Sequence, residues 1–216
     1  MEFEYNDEII KRIIKTLSVE RLEKYIKGPA EGTEDALKLY ILNTTLCESF
    51  YTPLQGFEVA VRNALHERLT LGFTVAWYDD SNFMNMLQPD HRGTVTSAQK
   101  SIRDHKEQVT PGKMVTELNL GFWTGLLGPK YETVLWRRHF RHAFPHRPQG
   151  SERHEVHSAV NRIRRLRNRV AHHEPIMHRN LLEDHEIILR TVRWICPDTA
   201  RWIEAQSRFP SVWTRI

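Results

Sequence analysis

"SERHEVHSAVNRIRRLRNRVAHHEPI", residues 151–176, is the stretch on which the fold turns. Taken as one helix from Ser151 to His173 at about 100° per residue, it gathers Val156, Ala159, Val160, Leu166 and Val170 within about 60° of Ile163. Such a stripe packs against other helices. Arg162, Arg164, Arg165 and Arg169 lie about 100° or more from Ile163, where a solvated or polyanion-facing charge belongs. Arg167 is different, falling at about 40°, inside the apolar stripe. An unpaired charge in such a seam costs several kcal/mol, so Arg167 requires a partner, either a protein carboxylate or a bound phosphate.

Working outward, the helical period continues through most of the chain. "TPLQGFEVAVRNALHERLTLGF" (52–73) is expected to open with a capping box, Thr52 capping, Pro53 at the first helical position and Gln55 at the third. Leu54, Phe57, Val61, Leu65 and Leu69 then recur at helix spacing until Gly72. Earlier helices begin near Ser18 and Thr33, and a later one runs from an Asn180 cap to just before Pro197, followed by a short helix over 198–206. "FMNML" and "SAQKSIRDHKEQ" read as short helices around a turn at "PDHRG", and the stretch from Val115 to Phe140 as mostly helical. Gly121 and Gly125 in it suit a close helix approach. Phe122 and Trp123 beside them favour core over base stacking. "FPHRPQG" (144–150) is the clearest loop. No fixed-period repeat and no glycine- or proline-rich linker interrupts this pattern, so one all-α domain over 1–216 is expected, a helical bundle with the motif helix at about 151–173.

Charge is unevenly spread. Residues 1–60 hold eleven acidic against seven Lys or Arg side chains, whereas residues 137–169 hold ten arginines against Glu152 and Glu155. Arginine at this density suits planar recognition of phosphate, which makes RNA or DNA the expected partner and Arg162, Arg164, Arg165 and Arg169 its expected contacts. No apolar run is long enough for a membrane span, and the acidic amino terminus does not resemble a secretory signal, so a soluble, cytoplasmic protein is expected. Cys47 and Cys196 form neither a metal spacing nor a disulfide framework.

Asn168 and His172 are four residues apart and share a helix face, so the amide is placed to orient the imidazole for proton transfer. Arg167 and His172 point about 140° apart on an ideal helix. They meet at one phosphate only if the last turn opens, which Pro175 encourages, or if two copies of the helix pool their side chains across a two-fold axis. Glu58, Arg62 and His66 form a polar stripe at i, i+4, i+8, and Glu58 is the candidate internal partner of Arg167.

Arg167, Asn168 and His172 fit the arginine, four to six residues, histidine motif of HEPN domains. With "FEVAVRNAL" (57–65) and "GFWTGLL" (121–127), "LRNRVAHHEPI" resembles the Abi-like group of bacterial HEPN proteins. The resemblance implies a bundle that forms a homodimer with motif helices facing each other. It also implies a metal-independent endoribonuclease, needing no cofactor, in which the ribose 2′-OH attacks and leaves a 2′,3′-cyclic phosphate and a 5′-OH. Arg167 would stabilise the developing charge and His172 would move the proton, oriented by Asn168; His173, Glu58, Arg62 and Asn63 are secondary candidates. Related proteins act in abortive infection as toxin-like effectors. Such a nuclease needs a restraint, for which an antitoxin protein, a bound noncoding RNA and a phage-triggered switch are the candidates.

A zinc hydrolase lacks its spacing, since "RHEVH" is one residue short of the two-ligand helix motif and Pro145 interrupts His139, His142 and His146. No glycine-rich phosphate loop or serine elbow occurs. The remaining rivals are a non-catalytic RNA-binding regulatory protein and a purely structural cluster in which Arg167 pairs with Glu58 and His172 caps the helix.

Overall fold

The structure is a computed structural model that describes residues 3–26 and 32–215. Among the described residues twelve α-helices follow one another: α1 Asp7–Leu17, α2 Val19–Ile26, α3 Thr33–Ser49, α4 Tyr51–Gly72, α5 Ser81–Met86, α6 Pro89–Asp104, α7 Pro111–Glu117, α8 Leu120–Leu126, α9 Arg153–Ala171, α10 Leu181–Ile195, α11 Pro197–Gln206 and α12 Phe209–Trp213. No strand occurs among the described residues, so the protein is all-α.

The centre is α4, which packs against α10, α11 and α8, while α9 lies on α8 and α10. Along α9 the buried residues are Val156, Ala159, Val160, Ile163 and Leu166, the predicted stripe, with Val170 partly buried at its end. Gly56 lets α11 cross α4 closely, because a Cβ there would sit 2.5 Å from the Ile203 side chain. The core extends from Leu46 to Phe209. The amino-terminal hairpin stands somewhat apart: α1 buries no residue fully, and α2 packs on α3 around Leu22, Tyr25, Ala36 and Leu37.

Several local expectations are revised. α4 begins at Tyr51, with Phe50 alone separating it from α3, so Thr52 lies inside the helix and forms no capping box. "PDHRG" is the first turn of α6 rather than a turn between helices, since Pro89 occupies the first helical position. The region 115–140 is broken: α7 stops at Glu117, Asn119 caps α8 by accepting the Phe122 amide, and only short 3₁₀ and π turns follow. Phe122 and Trp123 are core, and the Trp123 indole N–H donates to the Leu118 carbonyl at 3.1 Å. The motif helix is two residues shorter at each end than expected, because Glu152 and Glu155 form its capping box and the chain leaves the helix after Ala171.

Candidate active site

The carboxyl end of α9 finishes in a hydrogen-bonded cap. The His173 amide donates to the Val170 carbonyl and the Glu174 amide to the Arg169 carbonyl, with His173 at φ 56, in the left-handed region usually given to glycine. Two side chains from distant elements hold this turn. Arg21 on α2 donates to the carbonyls of His172 and His173 at 3.3 and 3.1 Å, placing a cation at the negative end of α9. Buried Asn43 on α3 accepts the Ile176 amide at 2.7 Å and donates to the Glu174 carbonyl at 3.4 Å. Arg169 also turns inward, donating to the Pro175 carbonyl and pairing with Glu174.

Arg167 has a protein partner. Its Nε donates to Glu58 Oε2 at 2.9 Å, while Arg62 contacts the other carboxylate oxygen of Glu58. Glu58 and Arg62 are largely buried, whereas the Arg167 side chain remains 40% exposed. Among the described residues the terminal nitrogens of Arg167 have no partner, and the buried Arg62 Nε has none either. Burial and the neighbouring Arg167 charge push the Arg62 pKa down. These groups line a groove of about 410 Å³ between α4 and the end of α9, walled on its apolar side by Leu54, Val59, Val170 and Ala171.

The structure therefore brings Arg167, Glu58 and Arg62 together. His172 and His173 are both exposed and are not among the residues that line that groove. Asn168 is joined to His172 through the backbone, its carbonyl accepting the His172 amide at 2.9 Å; no bond between their side chains occurs among the described residues. Asn63 is exposed and lines a different groove with Arg68 and His142.

The outward arginine set divides. Arg162 is drawn onto α10, its Nε donating to fully buried Asp184 at 2.6 Å while its other nitrogens reach Glu183, and these bonds hold its pKa up. Arg179 takes the remaining face of Asp184. The projection puts Arg162 off the apolar stripe but cannot see that α10 supplies carboxylates there. Arg164 bonds Asn161, and Arg165 alone of the four is exposed and has no partner among the described residues. Arg165 shares a groove of about 480 Å³ with Arg162, Arg179 and Asn180.

Arg21 and Asn43 are the members of the site that sequence reasoning missed. Asn43 had a signal, an amide between apolar residues of "LYILNTTLC" on a face that must be buried; Arg21 had none. Among the described residues no cluster of three or more His, Cys, Asp or Glu side chains is placed to hold a metal ion, and no helix is long and apolar enough to cross a membrane. Searches of curated proteins and of solved structures each found no match to the chain. The sequence model of one family, described as Abi-like protein, matches residues 10–178, which span α2 to α9, the Glu58 groove and the turn after it, and the chain belongs to that Abi-like family.

Proposed function

We propose that this chain is a metal-independent endoribonuclease of HEPN type, a toxin-like effector of abortive infection, whose working unit is a homodimer. The supporting observation is the way Arg167 is held: Glu58 takes only Nε, so the fork of terminal nitrogens is left free for a phosphate. Abi-like membership suggests the biological setting. In the reaction the ribose 2′-oxygen forms a bond to phosphorus while the P–O5′ bond breaks. The 2′-OH proton passes to a base and the departing 5′-oxygen takes a proton from an acid. Arg167 stabilises the charge that builds on the phosphorane oxygens, and His172 serves the proton transfers. Because His172 lies outside the groove of its own chain, the second copy supplies the approach across a two-fold axis.

The test is cleavage of RNA in excess EDTA. Cutting that persists and leaves cyclic phosphate ends is expected, as is its loss, by about a hundredfold or more, in Arg167→Ala and His172→Ala proteins that keep wild-type helicity. Cutting abolished by EDTA refutes the metal-independent mechanism, and both variants remaining active refutes the site. A strict monomer by light scattering at micromolar concentration removes the shared site. The non-catalytic RNA-binding reading is favoured by one observation, the separation of the histidines from Arg167, and wild-type protein that binds RNA without cutting it establishes that reading instead.

A further inference from the structure

We infer that the groove beside Arg167 takes an unpaired nucleotide of single-stranded RNA, its phosphate on Arg62 and Arg167 and its base stacked on Tyr51; this rests on the reading of Arg167 as phosphate-binding given above. Two guanidinium groups share one carboxylate there, leaving one positive charge in excess in a partly enclosed space, with Arg62 Nε unsatisfied. That excess calls for an anion. A bare anion, however, does not account for the rest of the groove. Leu54, Val59, Val170 and Ala171 give it an apolar side, and Tyr51 stands at its mouth with 68% of its surface exposed. Tyr51, Glu58 and Arg62 are spaced i, i+7 and i+11 on α4, which keeps the three on one face of the helix. The ring stands roughly 10 Å along the axis from Glu58, so a phosphate at the arginines and a base at the ring belong to one short stretch of RNA. The volume of about 410 Å³ falls within the range of small-molecule clefts.

A charged end, an apolar wall and an aromatic face together fit a nucleotide rather than inorganic phosphate. The base must be unpaired, since a base stacked in a duplex cannot turn its face to a protein ring. Phe122 and Trp123, the other aromatics considered for stacking, are buried and cannot reach RNA.

The experiment measures binding of a fluorescein-labelled 2′-O-methyl oligoadenylate, which a 2′-OH attack cannot cut, against the same strand annealed to its complement. Tyr51→Ala is expected to weaken single-strand binding by about tenfold and leave duplex binding unchanged. Tyr51→Phe, which keeps the ring, is expected to restore most of that loss. Because Tyr51 is exposed, its replacement leaves the fold intact, which circular dichroism checks. Tyr51→Ala protein that binds the single strand as tightly as wild type overturns the stacking role, as does an equal loss for single strand and duplex. A change from dimer to monomer in Tyr51→Ala assigns the face to a second copy and overturns it as well. Arg167→Ala separates the two levels: loss of RNA cutting in Arg167→Ala alongside full binding in Tyr51→Ala rejects the stacking alone. Undiminished cutting in Arg167→Ala rejects the phosphate site beneath it.

Discussion

His173 carries a backbone conformation that a residue with a Cβ adopts at a cost of about 1–2 kcal/mol. The turn persists because its carbonyls and amides are tied to Arg21 and Asn43. Glycine removes the cost, so His173→Gly is expected to stabilise the protein by about 1 kcal/mol, read as a rise in melting temperature. A fall in melting temperature would show that the imidazole itself holds the turn. The same variant assigns the working histidine: cutting retained points to His172, cutting lost points to His173. Asn43→Ala probes the clamp from the other side. It leaves the buried Ile176 amide without its acceptor and is expected to cost about 1–3 kcal/mol, with faster hydrogen exchange at that amide. Unchanged exchange at Ile176 would remove Asn43 from the site.

At the scale of elements, Asp184 makes a polar joint beside the apolar core. Its fully buried carboxylate accepts from Arg162 on α9 and from Arg179 in the turn before α10, so α9, the turn and α10 are fixed to one another. Asp184→Ala strands the largely buried Arg179 and leaves Arg162 with Glu183 alone, and it is expected to destabilise the protein by about 3 kcal/mol in urea unfolding. A cost below about 1 kcal/mol would mean that water replaces the carboxylate. This joint also shows why some of the structure was legible in the sequence and some was not. The apolar stripe of α9 and the cap at Asn180 follow from spacing and local hydrogen bonding, so they can be predicted, whereas the break capped by Asn119 was not. The start of α4 does not, because Phe50 ends α3 and opens the next helix as part of the core, without any side-chain cap to announce it. The same holds for the site. That Arg167 needs a partner, and that Glu58 is one of the candidates, was readable from helix geometry, whereas its 40% exposure, the capture of Arg162 by α10 and the clamp by Arg21 depend on contacts between elements far apart in sequence.

For the molecule as a whole, the histidines turn acidity into a stability problem. The Trp77 indole N–H donates to His66 Nδ1 at 3.0 Å, which requires that nitrogen to be unprotonated. His91 Nδ1 lies 2.6 Å from the Tyr131 hydroxyl, and His185 is packed against Phe50 and Phe209 with Nε2 at 2.9 Å from Ser207. Burial is the principal cause that pushes the pKa of all three downward. The folded chain therefore binds fewer protons at these sites than the unfolded chain, whose histidines titrate near pH 6.5. Stability is fully present above that value and is lost as pH falls through the lower folded values. Melting temperature is accordingly expected to drop between about pH 7 and about pH 5, with a shallower drop in His185→Gln. A flat profile over that interval would show that the three rings titrate in the folded state as they do in the unfolded one. Acid thus loosens the packing around α4 and α10, so a loss of RNA cutting that tracks the melting curve reports unfolding of the scaffold. A loss that precedes the melting curve reports titration at the site.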